Sequence, residues 1–208
     1  MSVPAALRAH DLLWGLAPQH LPAGAPQWAF DALAAQAPAV VRRAFAPAGW
    51  VAVGVRGSAR EQRLATLMPV SAVTRVVRPE QLCCEHTERD WPAMQALRAL
   101  RSVLCQSGLV WGVAGSAGFE LASGLPALHA ASDLDLVAYS PDPLPRSRAA
   151  QWLAALQTPL CRVDLQVQTP CGAVALAEWA GASHRVLLKR EDGARLVVDP
   201  WRACEQAA

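Results

Sequence analysis

The second half of the chain alternates apolar runs with segments whose apolar residues recur at helical spacing. Residues 109–114 are a continuous apolar run, which predicts a buried strand, and Gly115-Ser116 then turns the chain into a helix. The same periodicities predict further elements: a helix over Trp91–Gln106, a strand over 134–139, a helix over Ser147–Gln157, a strand over Cys161–Val167, a short helix over Gly172–Ala180, and a hairpin joining His184–Lys189 to Arg195–Val198. This alternation predicts an α/β or α+β fold whose C-terminal part is a mixed sheet flanked by helices.

The first half has a less regular pattern and is rich in proline and alanine at its start. Three runs resemble strands: Val40–Phe45, Trp50–Arg56 and Val70–Val77. They predict a smaller N-terminal α+β domain. Asp11 is a candidate cap for a helical turn over Leu12–Gly15. The polar segment Leu82–Asp90 resembles a linker, so we divide the chain into residues 1–90 and 91–208.

The composition narrows the class of protein. With 208 residues, 53% of them hydrophobic, the chain can bury a core in one large domain or two small ones. A net charge of +2 gives no argument for a nucleic-acid partner. The sequence shows neither an apolar run of membrane-spanning length nor a secretory signal. We therefore expect a cytoplasmic protein that binds neither membrane nor nucleic acid.

The six cysteines form no CxxC pair, which argues against a zinc site. In a cytoplasmic protein these thiols are expected to be reduced. The vicinal pair Cys83-Cys84 is either redox-active or simply packed, and the sequence leaves both interpretations open.

Two aspartates lie at the beginning of the strand predicted over residues 134–139, one directly before it and one within it. Asp133 and Asp135 alternate with apolar residues, and side chains two apart on a strand point to the same face. Adjacent carboxylates repel each other unless a cation lies between them, and Mg²⁺ takes carboxylate oxygens while leaving positions open for phosphate. Gly115 and Ser116, at the start of the preceding helix, offer backbone N–H groups and a hydroxyl to a phosphate. The pattern predicts a site for a metal-bound triphosphate.

A third carboxylate, Asp164, lies on the polar face of the strand predicted over Cys161–Val167. If this strand pairs beside the strand of Asp133 and Asp135, the three acids meet. They can then hold two Mg²⁺ ions, or one ion and a general base, for in-line attack of a hydroxyl on a phosphate. Each feature alone has a plainer explanation as a turn, a solvated acid or an ion pair. Their order along the chain favours a phosphoryl-transfer site.

This order of strand, Gly-Ser, helix, Asp-x-Asp and later acid resembles the nucleotidyltransferase superfamily of the DNA polymerase β type over about Leu109–Glu178. A longer set of blocks is similar to the malonate decarboxylase holo-acyl-carrier-protein synthases, also called phosphoribosyl-dephospho-CoA transferases. The blocks are Arg8–Trp14, Val53–Gly57 with Gln62-Arg63, Gly115–Gly124, Ser132–Leu136, Arg162–Pro170, Ala175–Trp179 and Asp199–Trp201. The resemblance implies a nucleotidyltransferase-like catalytic domain over residues 91–208, with residues 1–90 available to bind the donor or the carrier protein.

The same resemblance implies a specific reaction. The donor is 2′-(5″-triphosphoribosyl)-3′-dephospho-CoA, and the acceptor is a serine hydroxyl on the acyl carrier protein subunit of malonate decarboxylase. A phosphodiester-linked prosthetic group forms and pyrophosphate leaves. Asp133 and Asp135 are then expected to bind Mg²⁺, while Asp164 shares a metal or accepts the serine proton. Gly115 and Ser116 are expected to cradle the β- and γ-phosphates.

Arginines of the N-terminal part are candidate phosphate ligands, because a guanidinium can bind phosphate through two parallel hydrogen bonds. A helix over residues 58–66 would bring Arg60 and Arg63 near Arg56, where they could contact the triphosphate or the dephospho-CoA part. The alternative is a solvated basic face. Arg42 and Arg43 are a candidate docking surface for an acidic carrier protein.

Some assignments stay open at this point. His10 is either a general base or a buried structural histidine, and Glu120 either supports the site or lies on the surface. Two other functions compete with the carrier-protein transferase. One is a nucleotidyltransferase that uses ATP on another protein or a small molecule, and the other is a non-catalytic nucleotide-binding protein.

Overall fold

The computed structural model describes residues 6–85 and 89–204 and folds them into two β-sheets and five α-helices. The strands are β1 (Leu12–Trp14), β2 (Ala39–Val41), β3 (Trp50–Arg56), β4 (Arg63–Pro69), β5 (Arg75–Val77), β6 (Val110–Val113), β7 (Leu134–Tyr139), β8 (Val163–Thr169), β9 (Gly172–Ala175), β10 (Val186–Arg190) and β11 (Gly193–Val197). The helices are α1 (Gln27–Ala34), α2 (Pro92–Gln106), α3 (Gly115–Ser123), α4 (Arg146–Ala155) and α5 (Leu176–Ala180). We call β1–β5 the N-terminal sheet and β6–β11 the C-terminal sheet.

The N-terminal sheet is antiparallel, with the strand order β4-β3-β2-β1-β5. Its longest pairing is the β3–β4 hairpin, in which Trp50 pairs with Pro69 at one end and Arg56 with Arg63 at the other. Helix α1 packs on β3, and buried apolar side chains of the sheet and the helix form a separate core. The turn of the hairpin therefore projects from one end of a sheet that is held by its own core.

The C-terminal sheet is mixed and has the strand order β11-β10-β9-β8-β7-β6. Strands β7 and β8 run parallel, and the other neighbours run antiparallel. A parallel pair needs a crossover connection, which α4 supplies. Apolar side chains of α2 and α4 share a core with those of the sheet, so the predicted fold class is confirmed. Along the residues that the structure describes, no helix is both long enough and apolar enough to cross a membrane.

Strand β8 divides its side chains between two environments. Leu165 and Val167 are buried in the core that the helices cover. Asp164 and Gln168 point to the opposite face, because side chains alternate along a strand. That face lies against the N-terminal sheet, where Arg43 donates a hydrogen bond to the Gln168 side chain. The two sheets therefore meet across a polar surface.

The segment that joins the two sheets crosses the C-terminal sheet at close range. Residues Pro79–Leu82 form a 3-10 helix beside β6, and a Cβ on Gly112 would lie 2.0 Å from the carbonyl carbon of Pro79. A residue without a side chain permits this approach. Residues 86–88 of the predicted linker lie outside the described residues.

Three N-terminal predictions are wrong. Residues 58–66 form the hairpin turn and the start of β4, not a helix, because they pair along β3. The strand predicted over Val70–Val77 is a 3-10 helix at Val70–Ala72 followed by β5. The helical turn expected over Leu12–Gly15 is strand β1, which is held between β2 and β5. Pairing with a distant strand, which local spacing does not reveal, decides each case.

The C-terminal half departs from its prediction mainly at the segment expected to be one short helix over Gly172–Ala180. Its first part is strand β9, and helix α5 takes the second part. Residues of β9 pair with both β8 and β10, so sheet hydrogen bonding overrides the helical spacing.

Cys171 and Cys204 are joined by a disulfide, which ties the C-terminal segment to the turn between β8 and β9. The expectation of reduced thiols is therefore wrong for this pair, because folding brings together cysteines 33 positions apart in the sequence. Cys83 and Cys84 keep free thiols, with their sulfur atoms 3.8 Å apart.

Candidate active site

A cavity of about 730 Å³ lies between the two sheets. The N-terminal sheet contributes the turn end of the β3–β4 hairpin, and the C-terminal sheet contributes the starts of α3 and β7. All the predicted site residues except Asp164 line this cavity: Arg56, Arg60, Arg63, Gly115, Ser116, Asp133 and Asp135. The fold thus brings to one place residues from three separate sequence blocks.

Asp164 lies beside this group, next to Asp135. The two aspartates are direct partners in the parallel β7–β8 register, and Arg162 faces Asp164 at 3.7 Å. Burial, together with the negative charges of Asp164 and Asp133, raises the pKa of Asp135 to about 6, against the opposing influence of Arg162 and Arg56. Burial and repulsion between the carboxylates therefore disfavour the charged form of Asp135.

Asp133 precedes β7 and is exposed at the cavity. Within residues 6–85 and 89–204, no three His, Cys, Asp or Glu side chains stand close enough together to hold a metal ion by themselves. The acids thus offer one or two carboxylates rather than a closed cage. Mg²⁺ is commonly bound in this way when substrate phosphates complete its coordination.

Gly115 lies directly against Asp135. Its φ is +57°, and a Cβ at this position would lie 1.9 Å from Asp135 Oδ2. Helix α3 begins at Gly115, so the partial positive charge of the helix N-terminus lies next to the carboxylate. The close approach and the left-handed backbone both require glycine here.

Arg56, at the end of β3, connects the two sheets. Its Nη1 donates to Ser116 Oγ at 2.8 Å, and its Nη2 donates to the carbonyl oxygen of Ala127 at 2.9 Å. The guanidinium also lies over the ring of Phe119, 5.4 Å from its centroid. Burial and the charge of Arg63 lower the pKa of Arg56, although Asp135 opposes this. Arg56 therefore both joins the sheets and places a cation at the start of α3.

Arg60 and Arg63 reach the cavity from the hairpin turn. Arg63 is the strand partner of Arg56, and its Nη1 donates to the carbonyl oxygen of Gln62 at 3.0 Å. Arg60 is exposed, and its side chain makes no hydrogen bond or ion pair with any residue that the structure describes. The Arg60 guanidinium is thus available to a ligand.

Glu120 is a functional candidate whose role the sequence left open. Its side chain is 3% exposed, and its Oε2 accepts hydrogen bonds from the backbone N–H groups of Ala127 (2.8 Å) and Leu128 (2.9 Å). Arg89 lies 3.5 Å from the other oxygen. Glu120 therefore anchors the segment that leads to Asp133. The sequence signal that could have indicated this buried role is the position of Glu120 between apolar neighbours on a predicted helix.

Asp11 is fully buried and closes a turn before β1. Its carboxylate accepts a hydrogen bond from the backbone N–H of Arg8 at 2.9 Å, and its own N–H donates to the Arg8 carbonyl at 3.0 Å. Inside this turn His10 adopts a φ of +76°. The turn directs His10 to the lining of the cavity.

His10 is neutral at pH 7 in this position. Burial, followed by the positive charges of Arg43 and Lys189, lowers the pKa of His10 to about 4, while a hydrogen bond with Gln166 acts in the opposite direction. The neutral imidazole lies on the polar surface between the sheets, where it can donate or accept a hydrogen bond.

Two family models match the chain, and together they cover most of it. The phosphoribosyl-dephospho-CoA transferase MdcG N-terminal domain matches residues 8–79, and the corresponding C-terminal domain matches residues 81–200.

Curated relatives with the name phosphoribosyl-dephospho-CoA transferase are similar over the full length. One from Pseudomonas fluorescens strain Pf0-1 is 58% identical over 96% of this chain and 97% of the relative. One from Pseudomonas putida strain W619 is 51% identical over 100% of both chains. One from Azotobacter vinelandii is 52% identical over 93% of both chains. No solved structure matches the chain significantly.

Proposed function

Since the chain belongs to the phosphoribosyl-dephospho-CoA transferase family and is a transferase, we propose that it modifies the acyl carrier protein subunit of malonate decarboxylase. The donor is 2′-(5″-triphosphoribosyl)-3′-dephospho-CoA, the acceptor is a serine hydroxyl, and pyrophosphate is released. Catalysis is assigned to residues 91–208, and residues 1–90 help to bind the donor or the carrier.

The observation that carries this proposal is the meeting of two kinds of charge in one cavity. Asp133 and Asp135 line the cavity, with Asp164 of the adjacent parallel strand beside Asp135, and arginines from the β3–β4 hairpin line the same cavity. A triphosphate needs both, because its phosphates carry several negative charges and an attacked phosphorus must be approached by an oxygen nucleophile. The arrangement supports phosphoryl transfer better than simple nucleotide binding.

Mg²⁺ is the metal that fits these residues. Asp133, Asp135 and Asp164 offer only carboxylate oxygens; burial and then the negative charges of Asp164 and Asp133 raise the pKa of Asp135, and a cation would offset the repulsion among these acids. In this proposal Asp135 holds the ion together with Asp133 or Asp164. When bound, Mg²⁺ supplies charge neutralisation to the phosphate oxygens.

The serine oxygen attacks the α-phosphorus, and a new O–P bond forms while the bond between the α-phosphorus and its bridging oxygen to the β-phosphate breaks. The bridging oxygen leaves with the electron pair, as part of pyrophosphate. Asp164 is the proposed acceptor of the serine proton. Its side chain is 38% exposed, so a serine on another protein can approach it.

The leaving pyrophosphate is assigned to the hairpin arginines. The Arg60 guanidinium has no hydrogen bond or ion pair with the described residues and Arg63 lies beside it, so both can bind phosphate oxygens of the donor and of the pyrophosphate that leaves. The N–H groups at the start of α3, from Gly115 and Ser116, support the same phosphates. Arg56 already binds the Ser116 hydroxyl, so these two side chains act together.

The proposal is tested by the intact mass of purified apo acyl carrier protein after incubation with this protein, Mg²⁺ and the donor. A mass gain equal to the donor minus pyrophosphate, absent without Mg²⁺, is the expected result. A gain with ATP in place of the donor, and none with the donor, would assign the chain to a different nucleotidyl transfer. No gain with either would overturn the proposed acceptor.

A further inference from the structure

A second cavity, of about 620 Å³, also lies between the two sheets, and the proposed reaction does not use it. Both sheets contribute to it. The N-terminal sheet supplies the start of β3 and the segment that follows β2, and the C-terminal sheet supplies the ends of β7 and β8. Its principal side chains are Arg42, Arg43, Phe45, Trp50, Tyr139 and Gln168.

The two cavities follow one another along the same strands. On β3, residues 54 and 56 line the first cavity and residues 50–52 line the second. On β7, Asp135 lines the first and Tyr139 the second, which at about 3.3 Å per residue places their Cα atoms about 13 Å apart. Arg42 lines both cavities. A long ligand held at the acids can therefore continue past Arg42 into the second cavity.

Arg42 lies at the boundary between the two cavities, and its guanidinium is available to a ligand. Its side-chain stem lies over Gly54, where an added Cβ would be 3.5 Å from Arg42 Cδ. The residue is exposed, and across residues 6–85 and 89–204 its guanidinium has neither a hydrogen bond nor an ion pair. An unpaired guanidinium at the boundary suits a phosphate or diphosphate group of a ligand that spans both cavities.

The second cavity combines exposed aromatic surface with unused polar groups. Phe45 is 70% exposed and Trp50 is 43% exposed, which is unusual for large apolar side chains at one cavity mouth. The Gln168 Oε1 accepts a hydrogen bond from Arg43. The buried Gln168 Nε2 and the Tyr139 hydroxyl lack any hydrogen-bond partner within the described part of the chain. Buried polar atoms of this kind are normally satisfied, so a side-chain rotation that turned them toward the cavity would let the amide groups of a ligand pair with them.

We propose that the second cavity receives the pantetheine arm of the donor, with Arg42 bound to the diphosphate that joins this arm to the adenosine. The inference rests on the proposed function. The arm has carbonyl oxygens for the Gln168 amide and the Tyr139 hydroxyl. Its methyl and methylene groups can cover Phe45 and Trp50. The triphosphate end remains at the acids of the first cavity.

The test compares two ligands that differ in the arm. Dephospho-CoA carries adenosine, diphosphate and pantetheine, whereas ADP carries only the first two. Calorimetric titration of the wild type should give a dissociation constant about tenfold lower for dephospho-CoA than for ADP. Phe45→Ser should remove most of this difference without changing the affinity for ADP. Arg42→Gln should weaken both ligands, because both carry the diphosphate.

Leu196→Ser is the matched control, because Leu196 is 64% exposed on β11 and lies outside both cavities. It should leave both affinities unchanged. If Phe45→Ser weakens ADP as much as dephospho-CoA, the cavity takes the adenosine and the proposal is overturned. Equal wild-type affinities for the two ligands overturn it as well.

Steady-state transfer separates this inference from the proposed function. If the wild type modifies the carrier, Phe45→Ser should raise the donor KM and leave the carrier KM unchanged. A change in the carrier KM instead would assign the cavity to the carrier protein and overturn the proposal. If the wild type does not modify the carrier, the proposed function has failed, and the titration with dephospho-CoA and ADP still decides whether the cavity binds the arm.

Discussion

The two sheets bring opposite charges to one cavity by different structural means. The C-terminal sheet places Asp135 and Asp164 by strand register, in a sheet whose other face is packed under helices. The N-terminal sheet places Arg60 and Arg63 at the exposed turn of a hairpin. Short side chains on paired strands have little freedom, whereas long side chains on a turn can adjust. From this difference we propose that the acids set the geometry of the reaction and the arginines set the affinity for the donor.

Removal of one acid should give the largest effect. Asp135→Asn keeps the size of the side chain and removes its charge, so we expect kcat to fall by about 10³-fold. Because neighbouring carboxylates repel Asp135, the variant should unfold at no lower temperature than the wild type. Carrier modification and a thermal unfolding curve measure the two outcomes. Asp142→Asn, at an exposed acid after β7 and outside both cavities, is the control. A folded Asp135→Asn with wild-type turnover would contradict the role of the acids.

Displacement of Asp135 by a side chain at position 115 should give the second largest effect. Gly115→Ala forces a side chain against Asp135 Oδ2 and a left-handed backbone on alanine, so we expect about a 10²-fold loss of kcat and a loss of about 1–3 kcal/mol of stability. Gly124→Ala is the matched control, since Gly124 ends the same helix with a φ of +71° and has no atom within 4 Å of the added Cβ. It should lose stability and keep its kcat. Equal kcat losses in both variants would show that backbone strain, rather than contact with Asp135, is responsible.

Removal of the Glu120 carboxylate, which holds the segment before Asp133, should have an intermediate effect. Glu120→Ala leaves two backbone N–H groups without their acceptor, so we expect a loss of about 1–3 kcal/mol in the free energy of unfolding and about a tenfold lower kcat. Glu120→Gln keeps an acceptor oxygen and should lose less of both. Urea unfolding and turnover measure the pair of variants. Equal losses would assign the effect to the charge next to Arg89 rather than to the hydrogen bonds.

A single arginine of the hairpin should have the smallest effect. Arg60→Ala removes a side chain that has no hydrogen bond or ion pair with the described residues, so we expect about a fivefold rise in the donor KM with kcat and thermal stability unchanged. Arg185→Ala, at an exposed arginine before β10 and outside both cavities, should leave the donor KM unchanged. A lower kcat with an unchanged KM in Arg60→Ala would show that Arg60 stabilises the transition state. The two sheets would then differ less in their roles than we propose.

The acids could be placed from the sequence because their signals are local. Period-two alternation puts Asp135 and Asp164 on strands, and the structure adds the parallel pairing that sets them side by side, which was only a condition in the prediction from sequence. The sequence also placed Gly115 and Ser116 at the start of a helix, but it did not predict the close approach of Gly115 to Asp135. What the sequence predicted correctly here is the type of each local element, because a few neighbouring residues determine it.

The position of the hairpin arginines could not be predicted from local sequence signals. The chain between Arg56 and Arg63 turns back as a hairpin because β4 pairs with β3 over seven residues, whereas from the sequence we considered a helix over residues 58–66. The disulfide between Cys171 and Cys204, and the contact of His10 with Gln166, likewise depend on segments far apart in the sequence. Long-range pairing, rather than weak local propensity, explains these misses.

Because β7 and β8 run parallel, both strands start at the same edge of their sheet, and Asp135 meets Asp164 there whatever the length of chain between them. Hydrogen bonds between the strands set the register, so the connections on either side of α4, residues 140–145 and 156–162, can gain or lose residues without moving the acids. Within these connections, the exposed residues 141–143 and 159–160 are therefore natural places for sequence drift, and for an inserted affinity tag or epitope, whereas Arg162 next to Asp164 is not. The chemistry can stay constant while the surface around it diversifies.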